Sequence, residues 1–266
     1  MGTPDPQTVV ISGASAGLGA ALALAYAGPG WTLGLIARDE DRLEGIASRC
    51  RELGATVETA KIDVTDAPAL AAWIAAFDSR NPIGLVIANA GVFTGHGPGG
   101  AMESAADVAW MVSTNLIGTA NLVQPAIDAM RKRKQGQIAI IGSLAALQPL
   151  ADAPGYSASK AGVMAYGEAL QEYLIPDRIA VSLVYPGHIE TAQVAGHVGA
   201  LPHMVSAETA AALIKRGLDA RQAFIAFPWQ LLALIRAGRM LHWRVRAMAG
   251  RDFRFHVQRG TVPDRK

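Results

Sequence analysis

Short β-branched runs alternate with helical stretches along most of this chain, and that alternation restricts its fold more than any other feature. Residues 8–11 read Thr-Val-Val-Ile and lead straight into Gly13-Ala14-Ser15-Ala16-Gly17-Leu18-Gly19. A helical stretch over 20–27 and a second apolar run over 31–37 follow. The order predicts strand, glycine turn, helix, strand. Residues 6–37 carry no charge, a length that could span a membrane, but Gly13, Gly17, Gly19 and Gly28-Pro29-Gly30 interrupt it. The stretch therefore reads as part of a buried sheet.

The alternation continues. Asp39 caps a helix to about 53, and 57–62 is a strand ending at Asp63. Asp66-Ala67-Pro68 opens another helix, with a capping carboxylate and a proline in the first turn. Residues 83–88 form a fourth strand ending at Asn89-Ala90-Gly91. Ser104 and Asp107 are spaced as a capping box for one long helix through Asn115 to 130. A strand over 137–141 reaches Gly142-Ser143, and a helix runs on to about 174. A strand over 179–184, an irregular stretch over 186–205, a helix over 206–218 and a strand over 223–227 complete the series. Such a chain forms one α/β domain over 1–227, a doubly wound parallel sheet of about seven strands. Residues 228–266 are left as a basic amphipathic tail.

Ligands of such sheets bind beyond the carboxyl ends of the strands. Gly13, Arg38, Asp63, Asn89, Ser143 and Pro186-Gly187 all fall there. The first turn, between a strand and a helix, is where a dinucleotide pyrophosphate rests on a helix N-terminus, although its spacing is G-x-x-x-G-x-G. On the helix after the fifth strand, Tyr156 and Lys160 lie four residues apart and share a face. A free phenol, with a pKa of about 10, exchanges protons poorly at neutral pH. A cation fixed beside it favours the phenolate and makes it a better general acid or base.

Seven motifs in order now stand together: Gly13-x-x-x-Gly17-x-Gly19, Asp63, Asn89-Ala90-Gly91, Asn115, Ser143, Tyr156-x-x-x-Lys160 and Pro186-Gly187-x-x-x-Thr191. Over residues 7–227 the chain resembles the single-domain branch of the short-chain dehydrogenase/reductase family. The resemblance implies a Rossmann-like fold and a catalytic set of Asn115, Ser143, Tyr156 and Lys160. Tyr156 would exchange the proton of the reacting oxygen, Lys160 would acidify it and bind the nicotinamide ribose, Ser143 would stabilise developing charge, and Asn115 would hold a relay water. Cofactor contacts would fall on Gly13, Ser15, Gly17, Leu18, Gly19, Arg38, Asp63, Val64, Asn89, Ala90, Gly91, Tyr156, Lys160, Pro186, Gly187, Ile189 and Thr191. An epimerase or dehydratase using the same Tyr-Lys pair, and a non-enzymatic dinucleotide-sensing or membrane-docking relative, are the rival readings. The glycine spacing and the lack of a large C-terminal substrate domain argue against the first; the intact catalytic set is superfluous for the second.

At the end of the second strand a carboxylate would bind a ribose 2′-hydroxyl, whereas arginine accommodates a 2′-phosphate. Here Ala37 is followed by Arg38, with Arg42 one turn on, so NADP(H) is expected over NAD(H). Three departures from the family pattern remain: Ala16 precedes the middle glycine where NADP-dependent members often carry a base, Ser12 replaces a threonine, and Ala88 replaces an asparagine.

Residues 188–205, with His188, His197, His203 and apolar Ile189, Val194, Val198, Leu201 and Met204, are placed to close over an apolar ketone or alcohol. Glycine-rich 92–102 would line the opposite wall. These histidines have no cysteine or carboxylate cluster beside them, so no metal is expected. In the tail, Arg236, Arg239, Arg244, Arg246, Arg251 and Arg254 interleave with Trp229, Leu241, Trp243, Val245, Met248 and Phe253. That mixture suits packing on the domain, a subunit contact, or a membrane surface. The long helices around 104–130 and 155–175 resemble those that pair subunits in the family, so a homodimer or homotetramer is expected. A net charge of +2 exerts no general pull toward nucleic acid. The single cysteine, Cys50, rules out an internal disulfide, and the first residues lack signal-peptide character, both of which suit a cytoplasmic protein.

Overall fold

In a computed structural model, residues 7–191, 197–199, 201, 203–249 and 254–257 are described. Seven parallel strands form the central sheet: β1 (Thr8–Ser12), β2 (Thr32–Ala37), β3 (Thr56–Lys61), β4 (Leu85–Ala88), β5 (Gly136–Ile141), β6 (Ile179–Pro186) and β10 (Phe224–Phe227), in the spatial order β10-β6-β5-β4-β1-β2-β3. The order reverses between β1 and β4, which opens a crevice at their carboxyl ends. Gly13 and Asn89 border that crevice.

Strand side chains alternate between two helical layers. Val9 and Ile11 face one layer with α1 (Gly17–Tyr26), α2 (Glu40–Glu52) and α7 (Ala207–Asp219). Val10 faces the other, with α3 (Ala67–Arg80), α5 (Gly118–Arg133) and α6 (Pro154–Tyr173). Cys50 is wholly buried in the first layer, and burial pushes its thiol pKa up, which leaves a structural residue. The expected caps form: Asp39 accepts from Arg42 N, Asp66 accepts from Ala69 N, and Ser104 with Asp107 completes a capping box.

Two expectations need correction. The helix through Asn115 is not uniform: α4 (Ala105–Val112) passes into a π-turn over Ser113–Ile117 before α5 begins. Neither glycine nor proline lies in that turn, so its cause is tertiary, the bonding of Asn115 described below. Residues 186–205 are not wholly irregular. The two-residue strands β7 (Ile189–Glu190) and β9 (Val205–Ser206) pair in parallel, and β8 (His197–Val198) pairs antiparallel with β11 (His256–Val257). The tail begins with α8 (Trp229–Arg239) and α9 (Trp243–Ala249). Leu231, Leu232 and Ile235 of α8 pack on the second core layer. Val194, Arg251 and Phe253 lie outside the described residues.

Candidate active site

The first βα turn is built to hold an anion. Gly13 and Gly17 have φ of +67° and +53°, where a side chain is strained. A Cβ on Gly13 would lie 2.9 Å from Ala90 Cα, so that turn and the end of β4 can be neighbours only through glycine. Helices α2, α3, α4 and α7 each begin with a capping side chain, yet Ala16 before α1 offers none. The bare N–H groups and positive dipole end of α1 are thus left for a ligand, as a pyrophosphate requires. Thr191 reaches over this terminus, its Cγ2 3.0 Å from where a Gly17 Cβ would stand. Ser12 Oγ accepts from the backbone N–H groups of Asn89 and Ala90 at 3.1 and 3.0 Å, tying β1 to the end of β4. These residues fit a dinucleotide.

At the end of β2, Arg38 pairs with Asp63 at 3.7 Å. Asp63 also accepts from the backbone N–H and hydroxyl of Thr65, both at 2.8 Å. Asp39, the nearest carboxylate in sequence, is turned into α2 by its cap and by Arg42 Nε at 2.5 Å. Arg38 is therefore held by a partner across the crevice edge instead of extending freely.

The catalytic candidates converge. The Tyr156 hydroxyl is hydrogen-bonded to Ser143, whose Oγ also accepts from Ala145 N at 3.1 Å. Lys160 Nζ donates to the Ile141 carbonyl at 2.9 Å and stands 6.0 Å from the centre of the Tyr156 ring. Gly91 lets this cluster close: a Cβ there would be 3.2 Å from Asn115 Oδ1 and 3.4 Å from Lys160 Nζ.

Electrostatically the pair differs from the sequence-based expectation. Burial raises the Tyr156 pKa, and the Ser143 hydrogen bond lowers it only in part. Burial also pulls the Lys160 ammonium down to about 8. Each group is desolvated, and desolvation disfavours each charged form. The resting pair is thus a protonated phenol beside a readily neutralised amine.

Asn115 is 1% exposed, and both of its amide N–H groups are committed. Nδ2 donates to Val92 O at 3.0 Å and to Ser159 Oγ at 2.9 Å, while Oδ1 accepts from Val92 N at 2.7 Å. The side chain thus clamps the loop after β4 to α6, and its own carbonyl accepts from Thr119 Oγ1 at 2.8 Å. A water relay from this residue would have to use its carbonyl oxygens.

Several residues here escaped the sequence reading. Phe93 stands edge-on to Tyr156, with ring centres 4.9 Å apart at 87°, and Phe255 lies 6.2 Å beyond it. Glu103 Oε2 accepts from Gly155 N at 2.7 Å and so caps α6 from another element. The signal for that was indirect: Ala153-Pro154-Gly155 supplies no cap of its own. Asp152, 4% exposed, binds Arg254 Nε and Nη2, both at 2.7 Å, and Phe255 N at 3.1 Å. Val257 N donates to His96 O at 2.8 Å, so a stretch of the tail closes over the 92–102 wall. Of the histidines of 188–205, His188 offers its carbonyl to Val205 N at 3.0 Å, and His203 sits exposed at φ +55°. Among the described residues no group of three or more His, Cys, Asp or Glu could hold a metal.

Removing one partner of a buried ion pair strands the other and typically costs about 3–5 kcal/mol, less where, as here, the arginine is largely exposed. Asp152→Ala is expected to release Arg254–Val257, quicken proteolysis of that stretch and raise the substrate KM roughly tenfold, with a smaller change in kcat. An unaltered KM would remove the tail from the wall of the site.

A family model described as short chain dehydrogenase matches residues 7–198. The chain is 31% identical over 241 residues to an uncharacterized oxidoreductase of Myxococcus xanthus (strain DK1622), covering 88% of this chain and 92% of that one. It is similar to a solved short-chain dehydrogenase from Sphingobium yanoikuyae in complex with NADPH: 30% identity, TM-score 0.75, 88% of this chain and 94% of that one. A short-chain dehydrogenase/reductase from Burkholderia phymatum, solved with NAD, shares the fold at TM-score 0.79 with 24% identity, over 89% of this chain and 94% of that one. The protein belongs to the short-chain dehydrogenase/reductase family. It is an NAD(P)-dependent oxidoreductase.

Proposed function

We propose that the protein interconverts a hydrophobic ketone or aldehyde and the corresponding alcohol, using NADP(H), with Tyr156 as general acid and base. The observation that carries this reading is the Tyr156 hydroxyl bonded to Ser143, with Lys160 behind the ring. Bound nicotinamide nucleotide would supply or accept the hydride. A phenol kept protonated by burial suits reduction: it holds a proton ready for the carbonyl oxygen as negative charge grows there. Ser143 would donate to the same oxygen, and Lys160 would stabilise the phenolate left behind. Asn115 and Glu103 would position loop and helix. Gly13, Ser15, Gly17, Leu18 and Gly19 would bind the pyrophosphate, while Val64, Asn89, Ala90, Gly91, Pro186, Gly187, Ile189 and Thr191 would line the remaining dinucleotide. Phe93 and Phe255 favour an apolar substrate.

Arg38 supports NADP(H), since an arginine and no free carboxylate stands where the 2′-substituent of adenosine would lie. A hydrogen bond to a charged group contributes about 1.5–3 kcal/mol, so Arg38→Ala should raise the KM for NADPH about 10- to 100-fold and change that for NADH little. Equal losses for both would mean that Arg38 does not read the phosphate. A panel of carbonyl compounds, followed by NADPH and NADH absorbance, tests the reaction itself; no turnover of any would overturn it.

The same reading includes a homodimer or homotetramer. Ala158, Ala161, Ala165 and Ala169 form an exposed small-residue stripe on α6 that would let a second helix approach closely. A light-scattering mass of one chain would exclude it.

A further inference from the structure

The outer face of α8 is apolar where a surface helix is ordinarily polar. Trp229, Leu234 and Met240 are 71%, 61% and 89% exposed, and Ala233 and Ala237 between them are exposed too. Trp243, Val245 and Met248 of α9, the next helix in the chain, are each about half exposed or more. Large apolar side chains exposed together on successive helices mark a candidate interaction surface. The charges around it have one sign: from residue 220 to 249 the chain carries five arginines and no aspartate or glutamate. Arg236 lies 5.7 Å from the Phe224 ring centre and Arg244 5.3 Å from that of Trp243, which fixes guanidinium groups at the rim of the apolar area.

We propose that α8 and α9 dock this protein on an anionic lipid surface. Tryptophan and arginine flanking an apolar helical face match the boundary between acyl chains and phosphate headgroups. A second copy fits less well. Pairing through this face about a two-fold axis would set arginines against arginines, with no carboxylate from 220–249 to neutralise them. No described helix is long and apolar enough to cross a membrane, so contact would be peripheral. The helix itself, through its inner side, borders the site: Arg239 Nη1 donates to Leu147 O at 2.9 Å, and Leu231 Cδ2 lies 3.4 Å from where a Gly187 Cβ would stand. The docking itself does not depend on the catalytic reading.

The test is cosedimentation of the full chain with vesicles of phosphatidylcholine alone or mixed with phosphatidylglycerol. The expected result is binding to the mixed vesicles, weakened by salt, and little to the neutral ones. Arg236→Gln with Arg244→Gln should weaken that binding roughly 30-fold. Trp229→Ser with Met240→Ser should weaken it as well, and both double variants should keep the parent's unfolding midpoint and nucleotide affinity. Failure of the parent to bind mixed vesicles would overturn the proposal, as would binding indifferent to both pairs of substitutions. So would loss of self-association in the Trp229/Met240 variant, measured by light scattering, with lipid binding unchanged; the face would then belong to a second copy.

Discussion

Tyr156→Phe is expected to lower carbonyl-dependent NADPH oxidation by about 10²- to 10⁴-fold, the usual contribution of a placed general acid. Nucleotide affinity should barely change. The substitution is nearly isosteric. The ring that stands edge-on to Phe93 is kept, so packing and the wall of the site survive. What is lost is one hydroxyl, the partner of Ser143 on the ring beside the Lys160 ammonium. Measuring kcat beside the dissociation constant for NADPH separates the two effects. Activity within a few-fold of the parent would show that the proton comes from elsewhere.

Lys160→Met should also inactivate, but with an opposite signature in stability. Lys160 is 6% exposed, and burial alone brings its pKa from 10.5 to about 8. Its folded value lies below its unfolded one, so the unfolded chain binds more protons between those limits. Keeping the ammonium buried therefore costs stability at pH 7, on the order of 3 kcal/mol, and the cost fades as pH rises from about 8 toward 10.5. Methionine spans similar length without charge, although it leaves the Ile141 carbonyl without its donor. Relative to the parent, the variant's stability should be greatest near pH 7 and fall progressively through pH 8–10, read as the difference between two denaturant curves. Taking the difference cancels the buried tyrosines Tyr26 and Tyr185, whose raised pKa values destabilise the fold at alkaline pH in both proteins. A pH-independent difference would mean that Lys160 is not strained by burial. Together these expectations describe a lysine retained for chemistry at the expense of stability.

Most of the sheet was legible in the sequence because local signals agree with tertiary ones. Strands such as Leu85–Ala88 are apolar on both faces, and caps such as Asp39, Asp66 and Ser104 announce helix starts within three residues. The meeting of Ser143, Tyr156 and Lys160 was legible too, since strand ends of a doubly wound sheet converge and helical spacing aligns the last two. What escaped depends on partners distant in sequence. The π-turn follows from bonds between Asn115 and Val92, 23 residues apart. The hold of Asp152 on Arg254 spans 102 residues and ends in a two-residue strand too short to show a period. The balance of pKa values is not legible in the sequence for a related reason. Spacing places a cation near a phenol, but only the packed structure reveals that water has been withdrawn from both.

The widened turn at Ser113–Ile117 has a consequence for how this region can change over generations. A π-turn accommodates one residue more than the α-helical repeat, so removing a single residue there would restore a regular helix and leave α4 and α5 close to their present phase. Helix α4 packs on α6 while α5 packs on α3, and the extra residue is taken up between these two contacts. What such a deletion would forfeit is the clamp, because Asn115 reaches Val92 and Ser159 from within the widened turn.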